Sequence, residues 1–189
     1  MRKLIYSMGI SLDGFIAGPG GEIDWSAPDE ELHRFHNEQA RATGAYLYGR
    51  RLYEEMKVWD VADQRPDAPA AVVEFAGIWK ATPKIVFSRS LDHVEGTNMR
   101  LATGDAAAEV ARLKAQDGGE LSVGGAGLAA TFVGSGLVDE YRLFVNPVIV
   151  GGGTPFFPPL DDRIGLDLVE TRTFGSRVVY LRYRVREGG

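Results

Sequence analysis

Residues 120–130, ELSVGGAGLAA, constrain this chain more than any other stretch: an apolar β-type run passes directly into bare backbone and then into a helical segment. Five glycines fall within residues 121–136. Glycine is costly inside ordered structure, so something there requires an uncovered main chain. Gly125-Ala126-Gly127-Leu128-Ala129-Ala130 satisfies G-x-G-x-x-G/A immediately after a strand, where close backbone and a helix N-terminus can hold a pyrophosphate. A tight strand-to-helix turn without a ligand explains the motif alone equally well.

Strand-like runs appear at KLIYSMGI, AYLYG, PKIVFS, ELSV and EYRLFVNPVIV, the last spanning 140–150. They are mostly continuous in their hydrophobicity, as strands buried on both faces are. Helical segments are predicted over 29–42, 50–57, 69–80, 105–116 and 127–134. Pro28 followed by Asp29, Glu30 and Glu31 marks a helix start, with acids where the dipole favours them. This alternation calls for a largely parallel sheet covered on both faces. LDLVETRTF, the turn GS and RVVYLRYRVR add an antiparallel hairpin at the end. A Rossmann order is disfavoured. Its fingerprint opens the fold and is followed about 20 residues later by an acid ending the next strand. Here the motif begins at residue 125, and Asp139 and Glu140 precede the next strand.

Two further strand ends carry anion-binding chemistry. Gly49 closes one strand, and Arg50 and Arg51 open the helix after it, where cations oppose the dipole unless an anion completes the site. Ser88, Arg89 and Ser90 follow IVF at another. Three such ends fit the rule that open α/β sheets bind ligands beyond their strand C-termini. Arginines at two of them, with no acid identified for a ribose 2′-hydroxyl, favour NADPH over NADH.

At 189 residues the chain is expected to form one domain, 1–189. A net charge of −5 without a basic tract argues against nucleic acid as a partner. No apolar run approaches a membrane span, and Ser11 and Asp13 interrupt the N-terminal run too early for a signal peptide. The absence of cysteine excludes disulfides and thiol nucleophiles and suits the cytoplasm. His33 and His36 stand three apart, but only His93 remains to complete a ligand set, so no metal is expected.

The chain resembles the dihydrofolate reductase-like superfamily, in the branch that shares the C-terminal reductase domain of bacterial riboflavin biosynthesis (RibD). The matching segments are SMGISLDGFIA at 7–17, YGRRLYEEM at 48–56, IVFSRSL at 85–91 and VGGAGLAATFVGSGLVDEYRLFVNPVIVGGGTPFF at 123–157. The resemblance implies a three-layer α/β/α sandwich with a mixed, mainly parallel sheet, NADPH as cofactor, and a small-molecule substrate. Gly124, Gly125 and Gly127 would lie against the cofactor pyrophosphate, and Gly49 would end the strand beside it. Arg50, Arg51, Ser88 and Arg89 would meet the adenosine 2′-phosphate side.

The resemblance extends to Trp25, Pro28 and Glu30, which fill the W-x-x-P-x-[DE] pattern of folate reductases. It implies that Glu30 orients or helps protonate the substrate ring; Asp13 is the second candidate acid. A carboxylate suits both tasks, since it binds an N–H pair and, when desolvated, exchanges a proton near neutrality. Loop 11–21 would be a flap over the nicotinamide. Thr82 stands where folate reductases carry a clamping arginine, with only Lys80 and Lys84 nearby in sequence, and Phe15 where riboflavin-pathway reductases carry lysine or arginine. Fold and cofactor therefore carry over better than either substrate. The expected activity is hydride transfer to a C=N or C=C bond of a pterin- or pyrimidine-like ring. The alternative is a nonenzymatic NADPH-binding sensor or partner module, distinguished by whether Phe15 and Trp25 fill the space beside the nicotinamide. Related riboflavin-type reductases are dimers, and the apolar EYRLFVNPVIV segment makes a homodimer the expected oligomer.

Overall fold

Runs of β-branched and aromatic residues become the strands β1 (Leu4–Ile10), β2 (Phe15–Ala17), β3 (Thr43–Gly49), β4 (Lys84–Phe87), β5 (Met99–Leu101), β6 (Glu120–Gly124), β7 (Glu140–Val145), β8 (Thr154–Pro155), β9 (Leu166–Thr173) and β10 (Val179–Val185). The helices between them are α1 (Glu30–Arg41), α2 (Arg50–Met56), α3 (Ala70–Ala81), α4 (Ala106–Ala115) and α5 (Ala126–Gly134). These elements come from a computed structural model that describes residues 1–186.

Eight strands form one sheet in the order β5-β4-β3-β6-β1-β7-β10-β9, while β2 and β8 pair separately. All pairings from β5 to β7 are parallel. β10 runs antiparallel to β7 and to β9, as the C-terminal hairpin requires. Leu47, Leu121 and Val123 face α4 and α5 on one side with Val110, Leu113 and Phe132. On the other side Tyr46, Tyr48 and Val86 pack with Trp79 of α3, and Phe144 and Tyr180 pack with Leu32 and Phe35 of α1. The fold is thus the three-layer α/β/α sandwich with a mainly parallel sheet.

Local chemistry sets the helix ends. Asp29 Oδ1 accepts from the Leu32 amide at 2.9 Å and starts α1; Asp105 Oδ1 does the same for Ala108 at 2.8 Å and starts α4. α1 is fixed against α3 by the fully buried Asn37, whose Nδ2 donates to Ala71 O at 2.9 Å and to Glu74 Oε2 at 2.7 Å.

The structure departs from the sequence expectations in two respects, both in β7. β7 ends at Val145 rather than at residue 150, because Pro147 has no amide to continue the ladder. β7 also lies between β1 and β10 with nearly every residue buried, so its apolarity belongs to the core and gives no argument for a dimer surface. β9 forms the antiparallel edge that the C-terminal hairpin predicts, and it stays largely exposed.

Asp139 and Glu140 have structural duties. Asp139 Oδ2 accepts from the Leu4 amide and meets Lys114 Nζ, each at 2.7 Å. Glu140, with no exposed surface, accepts from Arg142 Nε and Arg182 Nε at 2.7 Å each. Burial works against its charge, but the two arginines hold its carboxyl below the ordinary range. His33 packs edge-on to Trp59 and Phe75, and His36 lies against Phe144. No helix among the described residues is long and apolar enough to cross a membrane.

Lys84 begins β4 with 1% of its surface exposed, its Nζ donating to Trp79 O and standing 4.0 Å from the Trp79 ring centroid. Burial lowers its pKa from 10.5 to about 8, with Asp60 pulling weakly the other way. The folded state therefore releases this proton before the unfolded state does, and stability rises with pH between those values. Lys84→Met should remove that rise. Chemical denaturation at pH 8 and pH 10.5 should show the wild type gaining about 3 kcal/mol relative to the variant. Parallel pH profiles would place the charge in contact with solvent.

Candidate active site

The parallel register brings three strand ends level: Gly49 lies opposite Phe87, and Tyr48 lies opposite Gly124. Beyond Gly124 the chain turns sharply into α5 through Gly125, at φ +87° and ψ 124°, a conformation that L side chains rarely adopt. Gly124 is less constrained: a Cβ there would stand 2.5 Å from Leu52 Cδ2 of α2, the end of a side chain that can shift. Gly127 differs from both: a Cβ added to it meets nothing within 4 Å. No side chain caps α5, so the amides of its first turn remain available to a ligand.

A cleft of about 550 Å³ opens along these ends. Met8, Ile16, Ile23, Leu52, Met56 and Leu128 form its apolar walls. Gly49, Arg50, Arg51, Gly125 and Gly127 line it, with Glu55 its one carboxylate among the described residues. Gly49, Gly127 and Leu128 also line a second lobe of about 450 Å³, which holds Ser88, Arg89, Asp105 and Thr131. Seven of the eight expected positions thus converge on one groove; the eighth, Gly124, lies beneath the turn.

Their side chains are not equally free. Arg50 donates from Nε to Glu54 Oε1 at 2.8 Å and from Nη1 to Ser90 Oγ at 2.9 Å. Arg51 donates to Glu55 Oε1 at 3.3 Å. Both pairs are exposed and hence weak, leaving the cations open to recruitment by an anion. Ser88 Oγ already accepts from the amides of Ser90 and Leu91, at 3.1 and 3.2 Å. Arg89 is exposed, with no ion pair among the described residues.

The two candidate acids lie elsewhere. Glu30 is 71% exposed, ion-paired at 2.5 Å to Arg34 one turn along α1, and faces Arg172 across a separate surface depression. The clamp of Asn37 on α3 fixes α1 in this rotation, so the structure does not bring Glu30 to the cleft. Asp13 accepts from the Val150 amide at 3.2 Å and the Gly151 amide at 2.8 Å, joining loop 11–14 to the loop after β7. Its pKa is lowered, first by a hydrogen bond from Ser11 and further by the backbone amides, which keeps it ionised and unsuited to donating a proton. Neither lysine near Thr82 reaches the groove. Lys80 pairs with Asp63 at 2.6 Å, Lys84 is buried under Trp79, and Thr82 Oγ1 returns to Ile78 O at 2.8 Å. Phe15 and Trp25 are absent from the cleft lining; Phe15 pairs with Pro155 in the small β2–β8 sheet.

Glu55 and Asp105 are the charged lining residues that sequence reasoning missed, and Thr131 and Thr154 the uncharged polar ones. Glu55 was visible as an acid one turn after Arg51. Asp105 was visible as a helix cap, but its place beside Arg89 depends on the three-residue β5, too short to announce itself.

The residues present fit a reduced dinucleotide. Open space at Gly127, the uncapped first turn of α5 and the neighbouring Arg50 suit a pyrophosphate, and Arg89 suits a further phosphate in the second lobe.

Residues 2–180 match the RibD C-terminal domain family. The uncharacterized protein YyaP of Bacillus subtilis (strain 168) is 36% identical over 186 residues, covering 96% of this chain and 94% of that one. A crystal structure from Shewanella sp. PV-4, provisionally named a riboflavin biosynthesis protein, superposes with a TM-score of 0.77 at 21% identity, over 98% of this chain and 100% of that one. Dihydrofolate reductase from Enterococcus faecalis, complexed with NADP(H), superposes with a TM-score of 0.63 at 16% identity, over 98% and 97% of the two chains. At such identities the two structures establish the shared fold.

Asp13→Ala should leave the sheet intact and free two amides. Hydrogen exchange at Val150 and Gly151 should accelerate at least tenfold, with β1 and β7 unchanged. Unchanged exchange at those two amides would show that the loop is held by other contacts.

Proposed function

The chain belongs to the RibD C-terminal domain family, and we propose that it is an NADPH-dependent reductase of a small, flat heterocycle of the pterin or pyrimidine class. The observation that carries this reading is the two-lobed groove along the ends of β3, β4 and β6, with bare backbone where its lobes join. In the proposal Gly125, Gly127, the first turn of α5 and Arg50 receive the pyrophosphate, and Arg89 receives the 2′-phosphate. Bound NADPH would supply the hydride for a C=N or C=C bond.

The chain's own residues then have three tasks. Met8, Ile16, Ile23, Leu52 and Met56 enclose a flat ring and exclude water from its faces. Glu55 accepts N–H groups from the ring edge, with Arg51 as its movable counterion. Asp13 holds the flap loop to residues 150–151 and keeps the cleft wall in place. The proton that completes the reduction comes from solvent at the cleft mouth, since Glu30 points away and Asp13 is held as an anion. A nonenzymatic NADPH-binding module would need no second space beside the nicotinamide. The open 550 Å³ cleft, with Phe15 and Trp25 outside its walls, favours the reductase.

Gly127→Leu separates binding from packing. The added side chain enters open space, so the helix should gain about 0.5–1 kcal/mol of stability. NADPH affinity should fall at least tenfold, about 1.4 kcal/mol, by calorimetric titration. Undiminished affinity would move the cofactor elsewhere.

The kinetic test uses a surrogate drawn from a panel of oxidised pterins and pyrimidines. Glu55→Gln should lower kcat/KM by about tenfold or more, while Glu30→Gln should stay within about twofold of wild type. The opposite ranking would return the substrate to α1. Tight NADPH binding with no reducible compound in the panel would favour the nonenzymatic module.

A further inference from the structure

We infer that Asp105 is a specificity-determining residue that opposes Arg89 at the adenosine end of the groove, so that discrimination between NADPH and NADH rests on one cation balanced against one carboxylate. The inference depends on the cofactor reading above.

Both residues line the same 450 Å³ lobe, Arg89 just after β4 and Asp105 at the cap of α4. Arg89 and Asp105 are the charged side chains that line that lobe among the described residues. Ser88 Oγ holds its own turn, Thr131 is neutral, and Arg50 lines the other lobe. Arg89 is left as the lobe's unpaired cation among the described residues. Asp105 uses Oδ1 to accept from Ala108 N at 2.8 Å, while Oδ2 has no hydrogen-bond partner among them. The positive end of α4 offers a phosphate little help, because Asp105 itself occupies that terminus.

A carboxylate at the end of a strand in an open α/β sheet can accept a ribose 2′-hydroxyl and repels a 2′-phosphate. Arg89 and Asp105 line one lobe and are both exposed, so their opposition should weaken as ionic strength rises. Arg89 therefore favours the phosphorylated cofactor and Asp105 the unphosphorylated one. The two effects differ in which ligand they disfavour when removed.

The probes are 2′,5′-ADP and ADP, titrated calorimetrically against the intact chain. Asp105→Asn retains a good helix cap while removing the charge, and Asp105→Ser gives a second capping variant should the first fold poorly. Asp105→Asn should bind 2′,5′-ADP about threefold to tenfold more tightly, with ADP unchanged or weakened up to about threefold. Arg89→Ala should bind 2′,5′-ADP no more tightly than ADP, because Asp105 remains. The double variant should bind the two within about twofold of each other. Equal shifts for both probes in Asp105→Asn, or no shift, would overturn the inference while leaving the cofactor reading intact. If the wild type binds neither probe nor NADPH, the cofactor reading fails and this inference fails with it.

Discussion

Gly49 opposite Phe87 and Tyr48 opposite Gly124 form the register on which the groove depends. Leu47, Ile85 and Val123 are buried on one face of the sheet, and Tyr46, Tyr48 and Val86 on the other. A slip of one residue would exchange these faces and bury the wrong volumes under α3 and α5, so packing on both sides holds the register. Once it is held, three strand ends finish level, and each following turn presents backbone or a basic side chain to the same space. Gly125 completes the arrangement by taking a backbone conformation that a residue with a Cβ would strain to reach.

Charge fixes the orientation of what surrounds the sheet. Arg142 donates to buried Glu140, to Glu120 on β6 at 2.9 Å and to Gln39 on α1 at 2.8 Å, so one guanidinium connects two strands and a helix. Breaking such a pair would leave a buried charge without a partner, which costs several kcal/mol, although the intact network contributes much less. Its value here is positional. With Gln39 held at one end of α1 and Asn37 clamped to α3, the helix cannot rotate to carry Glu30 inward. The apolar cleft walls come instead from β1, the flap, α2 and α5, and Glu55 of α2 is the carboxylate that lines them among the described residues.

Much of this was legible in the sequence because it depends on local rules. Hydrophobic runs located the central strands, Asp29 marked a helix start, and the glycine motif marked a turn whose bare backbone opens on a groove. The groove's basic residues followed from strand ends sharing one sheet edge. Helix rotation was not legible. Glu30 satisfies its sequence pattern, yet tertiary clamps on Asn37 and Gln39 decide which way α1 faces. Nor did β2, β5 and β8 stand out, being two or three residues long and formed by pairing rather than by propensity. The extension of β7 past Val145 failed because one proline outweighs an apolar run.

The central claim is that one groove, from Met8 to Asp105 across the strand ends, holds the dinucleotide. Hydrogen–deuterium exchange of the intact chain with and without saturating NADPH tests it most directly. The account predicts added protection confined to the amides around residues 49–52, 88–90, 104–106 and 125–128, with the outer face of α1 unchanged. Protection centred on α1 around Glu30 and Arg34, or none despite measured binding, would contradict it.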